Sequence, residues 1–183
     1  SVASRGLGDV YKRQVLTAPG TPSTPVGTVS GTSMSVSWTV VSGLTYNIYR
    51  NGSAPANQIA TGKTSSPYSD SGVSAGSSYT YYVEAVNNSG TAMSSASSST
   101  TMPTVPGTPT IGTATYKSIS ITYSKVTATV TWTAPASDGG SAITGYEVIP
   151  SSGNPVTTIA GVTSTDIEIA TATECTFTVK AIN

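Results

Sequence analysis

The sequence repeats itself once, and this repeat limits the possible folds more than any other feature. Ala18-Pro-Gly-Thr-Pro22 returns as Val105-Pro-Gly-Thr-Pro109, Val36-Ser-Trp38 as Val130-Thr-Trp132, and Tyr46-Asn-Ile48 as Tyr146-Glu-Val148. The longest echo runs from Tyr79-Thr-Tyr-Tyr-Val-Glu-Ala-Val-Asn87 to Cys175-Thr-Phe-Thr-Val-Lys-Ala-Ile-Asn183. Corresponding residues lie 87 to 100 positions apart. A period of that length is a whole domain, too long for one unit of a solenoid.

Within each copy the apolar residues alternate at period two, as half-buried strands require. Met34, Val36 and Trp38 share one face; Leu44, Tyr46 and Ile48 form a second row; Tyr79, Tyr81, Val83 and Ala85 form a third. Asn51-Gly52 reads as a turn, because both residues tolerate positive φ. The stretch from Thr91 to Thr101 is poor in large apolar residues and is expected to be a solvent-facing edge strand. About seven short strands between turns is the pattern of a β-sandwich. The second copy holds seven extra residues around Tyr116-Lys-Ser-Ile-Ser-Ile-Thr-Tyr123, expected to lengthen its first strand and fold back through Ser124-Lys125 onto the next. It stops at Asn183, where the first copy still had a last strand to come, so it is expected to be truncated.

Charged residues make up 9% of the chain, with eight basic and eight acidic side chains. That balance leaves no basic footprint for nucleic acid, and no apolar run reaches the ~20 residues of a membrane-spanning helix. Residues 4–14 stand apart in composition and hold Arg5, Lys12 and Arg13. They resemble one reading frame of a transposase-type sequencing adapter more than a basic arm. Residues 1–14 are therefore set aside as a non-native segment, with no apolar stretch after the charges to suggest a signal peptide. Without them five basic and seven acidic residues remain.

Together these motifs resemble the fibronectin type III family over residues 15–183. The family pattern is a proline-rich lead-in, a Trp in strand B, a Tyr-x-hydrophobic in strand C and a Tyr near the start of strand F. Pro19/Pro22, Trp38, Tyr46/Ile48 and Tyr79 match it once, and Pro106/Pro109, Trp132 and Tyr146/Val148 again. Ala134-Pro-Ala-Ser-Asp-Gly-Gly-Ser-Ala-Ile-Thr-Gly-Tyr146 is similar to bacterial and phage versions. The resemblance implies an all-β fold of two tandem immunoglobulin-like sandwiches, residues 15–102 and 103–183, the second incomplete. It also implies that the hydroxyl of Tyr79 caps a corner by bonding to upstream backbone, a role Cys175 is too short to fill. The loop Asn87-Asn-Ser-Gly-Thr91 holds no Arg-Gly-Asp, so an integrin-binding role is not implied.

Chemistry is sparse. Without histidine there is no Ser-His-Asp, Cys-His or His-ligated metal centre in this stretch. Cys175 falls on an inward strand position and is expected in the core. The acidic residues mostly alternate with apolar ones, which places them on solvent faces, unsuited to a paired-carboxylate site. Asp138-Gly-Gly140 reads as a turn, since no Asp-x-Asp-x-Asp spacing supports calcium. Asn51-Gly-Ser53 and Asn87-Asn-Ser89 match the glycosylation triplet, which arises by chance in a Ser-rich chain. Trp38, Trp132, Tyr46, Tyr79 and Tyr81 are expected in the core. Tyr49, Tyr68 and Tyr82 are the surface candidates, with Tyr49 and Tyr82 on the outward parity of neighbouring strands and thus a two-tyrosine binding patch.

The sequence therefore predicts no catalysis, cofactor or metal. It favours spacer or adhesion modules of a larger extracellular, cell-surface or virion-associated protein of bacterial or phage type, with the neighbouring domains of the same polypeptide as partners. Two prolines in Met102-Pro-Thr-Val-Pro-Gly107 are expected to stiffen the connection. The alternative is an accessory carbohydrate- or surface-binding module of a secreted polysaccharide-degrading enzyme, with a glycan or cell-surface ligand at Tyr49 and Tyr82.

Overall fold

The computed structural model describes residues 17–170 and 174–183, so the segment 1–14 set aside above lies outside the described residues. The chain divides into two compact units that meet between Met102 and Pro103.

The first module contains strands β1 (Val26–Ser30), β2 (Ser33–Ser37), β3 (Thr45–Arg50), β4 (Gln58–Lys63), β5 (Tyr68–Asp70), β6 (Ser78–Tyr79), β7 (Tyr81–Asn87), β8 (Gly90–Met93) and β9 (Thr100–Thr101). They form one sheet in the order β1-β2-β5 and another in the order β4-β3-β7-β8, with β6 and β9 as a short separate pair. The inward rows are those that alternation predicted. Met34, Val36 and Trp38 from one sheet pack with Tyr46, Ile48, Tyr81, Val83 and Ala85 from the other, all buried. Burying side chains of this size contributes roughly 1.5–3 kcal/mol each, which suits a module without a disulfide. Asn51 turns the chain with φ of 60° and accepts the Thr80 N–H on its side-chain oxygen at 3.0 Å.

The stretch 91–101 departs from expectation. It is broken into β8 and β9, which belong to different sheets, and Ser94 and Ser97 between them are buried. Each serine pairs with β7 through both backbone and side chain. Ser94 donates its N–H to Val83 O and accepts the Val83 N–H on Oγ, both at 2.9 Å. Ser97 does the same for Tyr81, at 2.8 and 2.9 Å. The hydroxyls stand in for missing carbonyls where the segment pulls away from its neighbour. A small polar residue is thus required inside the sandwich, where apolarity alone suggested an outer edge.

The second module contains β10 (Thr110–Ile111), β11 (Thr115–Ser120), β12 (Lys125–Thr133), β13 (Gly145–Pro150), β14 (Val156–Ile159), β15 (Ser164–Ala170) and β16 (Phe177–Ile182). β12 is flanked by β15 on one side and by β10 and then β11 on the other, while β13 lies between β14 and β16. Its core is Ala128, Val130, Trp132, Tyr146, Val148, Ile167 and Val179. The ring pair of the first module recurs. Trp38 and Tyr46 have centroids 5.6 Å apart at 54°, Trp132 and Tyr146 5.4 Å apart at 58°. The extra residues do lengthen the first strand and fold it back, through a turn at 121–124 in which Ser124 has φ of 50°. Tyr116, Ile119, Ile121 and Tyr123 stay exposed on this hairpin, because Ile121 and Tyr123 sit in the turn and not on a strand face.

The connection is tied down on both sides. Met102 is buried in the first core and exchanges backbone hydrogen bonds with Ser77 (2.9 Å) and Gly76 (2.8 Å). Thr104 and Gly107 donate to the carbonyls of Gly139 and Ser137 at 2.7 and 2.9 Å. Asp138-Gly-Gly140 is a turn in which Asp138 Oδ1 accepts the Gly140 N–H at 2.8 Å. Gly139 is required there: its φ is +77°, and a Cβ would lie 2.2 Å from Thr104 O. Pro103 is left alone between two anchored residues.

Candidate functional site

On the outer face of β3 and β7, Tyr49 and Tyr82 are directly opposite in register, as expected for neighbouring strands. Their exposure corrects the two-ring patch. Tyr49 is only 6% exposed and Tyr82 is half-buried. Tyr49 is on a central strand, with Gln58 beside it in β4 and Tyr82 beside it in β7. Its hydroxyl donates to Glu84 Oε2 at 2.8 Å, and Asn47 Nδ2 donates to the same oxygen at 2.8 Å. Burial, then the bond to Glu84, pushes the Tyr49 pKa up. Burial also pushes Glu84 up, but the bonds from Asn47, Tyr49 and Thr91 outweigh it and leave its pKa below the usual value. Tyr49 has the opposite parity to the core residues Tyr46 and Ile48, yet its ring is buried too. Tyr68, the third candidate, is half-buried against the first core.

Two further expectations are corrected. Asp70, assigned to a solvent face, is 3% exposed. Arg50 Nη1 lies 3.1 and 3.0 Å from its two oxygens, Gly72 N–H donates to Oδ1 at 2.9 Å and the Tyr81 hydroxyl to Oδ2 at 2.9 Å. The Arg50 guanidinium also lies over the Tyr79 ring, 5.5 Å from its centroid. Three strands, β3, β5 and β7, are thus joined through one buried carboxylate, and a buried charge with this many donors is a tolerable one. Cys175, expected in the core, is half-buried ahead of β16, with Sγ 3.6 Å from Ser151 Oγ. The corner role fits Tyr79, whose hydroxyl accepts the Ser74 N–H at 2.8 Å.

Three of the remaining acidic groups, Asp166, Glu168 and Glu147, face lysines. Asp166 on β15 pairs with Lys117 and accepts Thr129 Oγ1 at 2.7 Å; Glu168 pairs with Lys125 at 2.7 Å. The hydrogen bond from Lys117, then that from Thr129, holds the Asp166 carboxyl below its ordinary range. Among the described residues no three potential ligands cluster as a metal site would need, and no helix is long and apolar enough to cross a membrane.

The second module carries a groove of about 530 Å³ between the turn at Tyr123–Lys125, the loop at Gly153–Val156 and β15. Tyr123 on its rim is 75% exposed. The sequence contained one signal for it: an insertion rich in Tyr and Ile where the first module has none.

No family model matches the sequence. The chain is 35% identical over 173 residues to chitinase A1 of Niallia circulans, a match covering 90% of this chain and 24% of that protein. It is 35% identical over 116 residues to endoglucanase B of Cellulomonas fimi, covering 58% of this chain and 10% of that one. The chain thus spans a quarter or less of these curated relatives. Among solved structures, a Fn3-like protein from Clostridium thermocellum is matched over its whole length at 30% identity, covering 50% of this chain with a TM-score of 0.40. Two all-β modules of the immunoglobulin-like class, built around repeated Trp–Tyr cores, are what the strand order and packing define. This is the sandwich class that the fibronectin type III-like motifs of the sequence imply, and the curated relatives the chain matches are bacterial.

Proposed function

We propose that this chain is a non-catalytic tandem module of a larger secreted bacterial enzyme that acts on polysaccharide, and that it holds the neighbouring domains of that enzyme at a fixed reach. The observation that carries the spacer role is the connection. Met102 is bonded into one module and Thr104 into the next, so one proline, with φ already fixed, separates them. The relatives' names supply the enzymatic context, and they lend no support to the phage-virion setting. A non-catalytic role is supported by the carboxylates. A glycosidase acid needs a pKa raised toward neutrality. Glu84 and Asp166 instead have theirs lowered, and Asp70 is enclosed by donors. Small-angle scattering tests the spacer: an extended pair is expected, and a pair collapsed side by side would sink the reading.

A second reading, an accessory glycan contact, is favoured by the same relatives. On the first module its candidate is Tyr82, half-buried beside Tyr49. Binding to a glycan array that vanishes in Tyr82→Ala while the fold is retained would raise it above the spacer.

A further inference from the structure

We infer that the groove on the second module binds a segment of uncharged polysaccharide, with Tyr123 as its stacking platform. This rests on the enzymatic context proposed above but not on the spacer role. Pyranose rings present an apolar C–H face and a rim of hydroxyls, so their sites pair an exposed aromatic face with hydrogen-bonding side chains. The groove supplies both. Tyr123 is 75% exposed at the mouth, on a turn whose next residue, Ser124, adopts φ of 50°. A non-glycine residue in that region is held by its surroundings at some strain, and the strain fixes the direction in which the turn presents its neighbour.

Across the groove lie Asn154, Pro155 and Val156. Asn154 is exposed, and its amide carries both a donor and an acceptor of the kind that sugar hydroxyls engage. Pro155 and Val156 provide apolar surface beside it. Each charge lining the groove is paired, Lys125 with Glu168 at 2.7 Å and Asp166 with Lys117. A phosphate or an acidic peptide would have to break one of these pairs, whereas a neutral sugar can bond to their outer edges. The volume, about 530 Å³, lies within the ~300–1,000 Å³ usual for small-ligand sites.

The test is an NMR titration of the intact chain with cellohexaose and, separately, chitohexaose. The expected result is saturable shifts of the Tyr123, Asn154 and β15 amides, with a dissociation constant near ~1 mM. Tyr123→Ala should weaken binding about tenfold or more without moving the melting temperature, and Tyr123→Trp should retain it. No shifts with either sugar, undiminished binding in Tyr123→Ala, or stronger binding to an acidic polysaccharide such as alginate would each overturn the inference. Shifts confined to the Tyr82 face would overturn it in favour of the first module. Failure here leaves the scattering test of the spacer untouched, and a collapsed pair that still binds sugar would remove the spacer and keep this site.

Discussion

Replacing Asp70 by Asn keeps the shape of the side chain and removes one acceptor and one charge. In the native module the two carboxylate oxygens receive Arg50 Nη1 at 3.1 and 3.0 Å, Gly72 N–H at 2.9 Å and the Tyr81 hydroxyl at 2.9 Å. An amide has one oxygen, so Arg50 loses one of its two acceptors and either the Tyr81 hydroxyl or the Gly72 N–H then meets an NH₂ group. A hydrogen bond to a charged group contributes roughly 1.5–3 kcal/mol net. Arg50 is 26% exposed, so water screens part of what it loses, and the ion-pair share is nearer the ~1 kcal/mol of surface pairs. A Tyr81 hydroxyl that turns to accept from the amide recovers some of this. The net loss is about 2–3 kcal/mol. At ~4–8 °C per kcal/mol for a module of this size, the melting temperature of the first module falls by roughly 10–20 °C. Scanning calorimetry on the whole chain resolves this, because the second module's core shares no residue with the first. Adding Arg50→Leu to Asp70→Asn should destabilise by less than the sum of the two single changes, since the second removal no longer orphans a charge. A shift below ~3 °C for Asp70→Asn, or strict additivity of the pair, would refute the role given to this carboxylate.

Three further outcomes are expected. Ser94→Ala and Ser97→Ala each strand a buried N–H, on Val83 and Tyr81, and should destabilise the first module by ~1–3 kcal/mol apiece, read by faster hydrogen exchange at those two amides. Burial and then its bond to Asp70 raise the pKa of Tyr81. The proton is therefore held more tightly in the folded state, and the stabilisation is complete below the unfolded tyrosine value near ~10 and lost as pH rises through the folded one. Denaturant midpoints taken between pH 8 and pH 12 should fall, and fall less steeply in Tyr81→Phe. Gly139→Ala drives a Cβ to 2.2 Å from Thr104 O and should destabilise the second module by ~1–3 kcal/mol, read as its calorimetric transition moving down while the first stays in place.

The architecture was legible because its signals are local. Alternation at period two marks which residues share a face, and the Trp and Tyr of each copy are large enough to mark the core. Where the reading failed, depth and direction were at issue. Asp70 sits at the end of a short strand of one sheet, Arg50 and Tyr81 reach it from the other, and that conjunction exists only once β3, β5 and β7 are assembled. Ser94 and Ser97 lie inside because their hydroxyls replace backbone acceptors, a use that hydrophobicity does not encode. Tyr49 has outward parity, but it lies on a central strand between Gln58 and Tyr82 with its hydroxyl bonded to Glu84, and it is buried. Tyr123 falls in the segment expected to lengthen the first strand. The fold-back at 121–124 carries it into a turn, and turn geometry at Ser124, a residue with no left-handed preference, has no sequence signature.

The spacer role proposed above requires that the two modules be held at a fixed reach by one proline between anchored residues. Its most direct test is the distance distribution between spin labels at Thr61→Cys and Thr157→Cys, exposed positions on β4 and β14, in a Cys175→Ser background. The spacer account predicts a single narrow distribution, broadened when Gly139→Ala releases Thr104. A broad distribution in the parent chain, unchanged by Gly139→Ala, would contradict it.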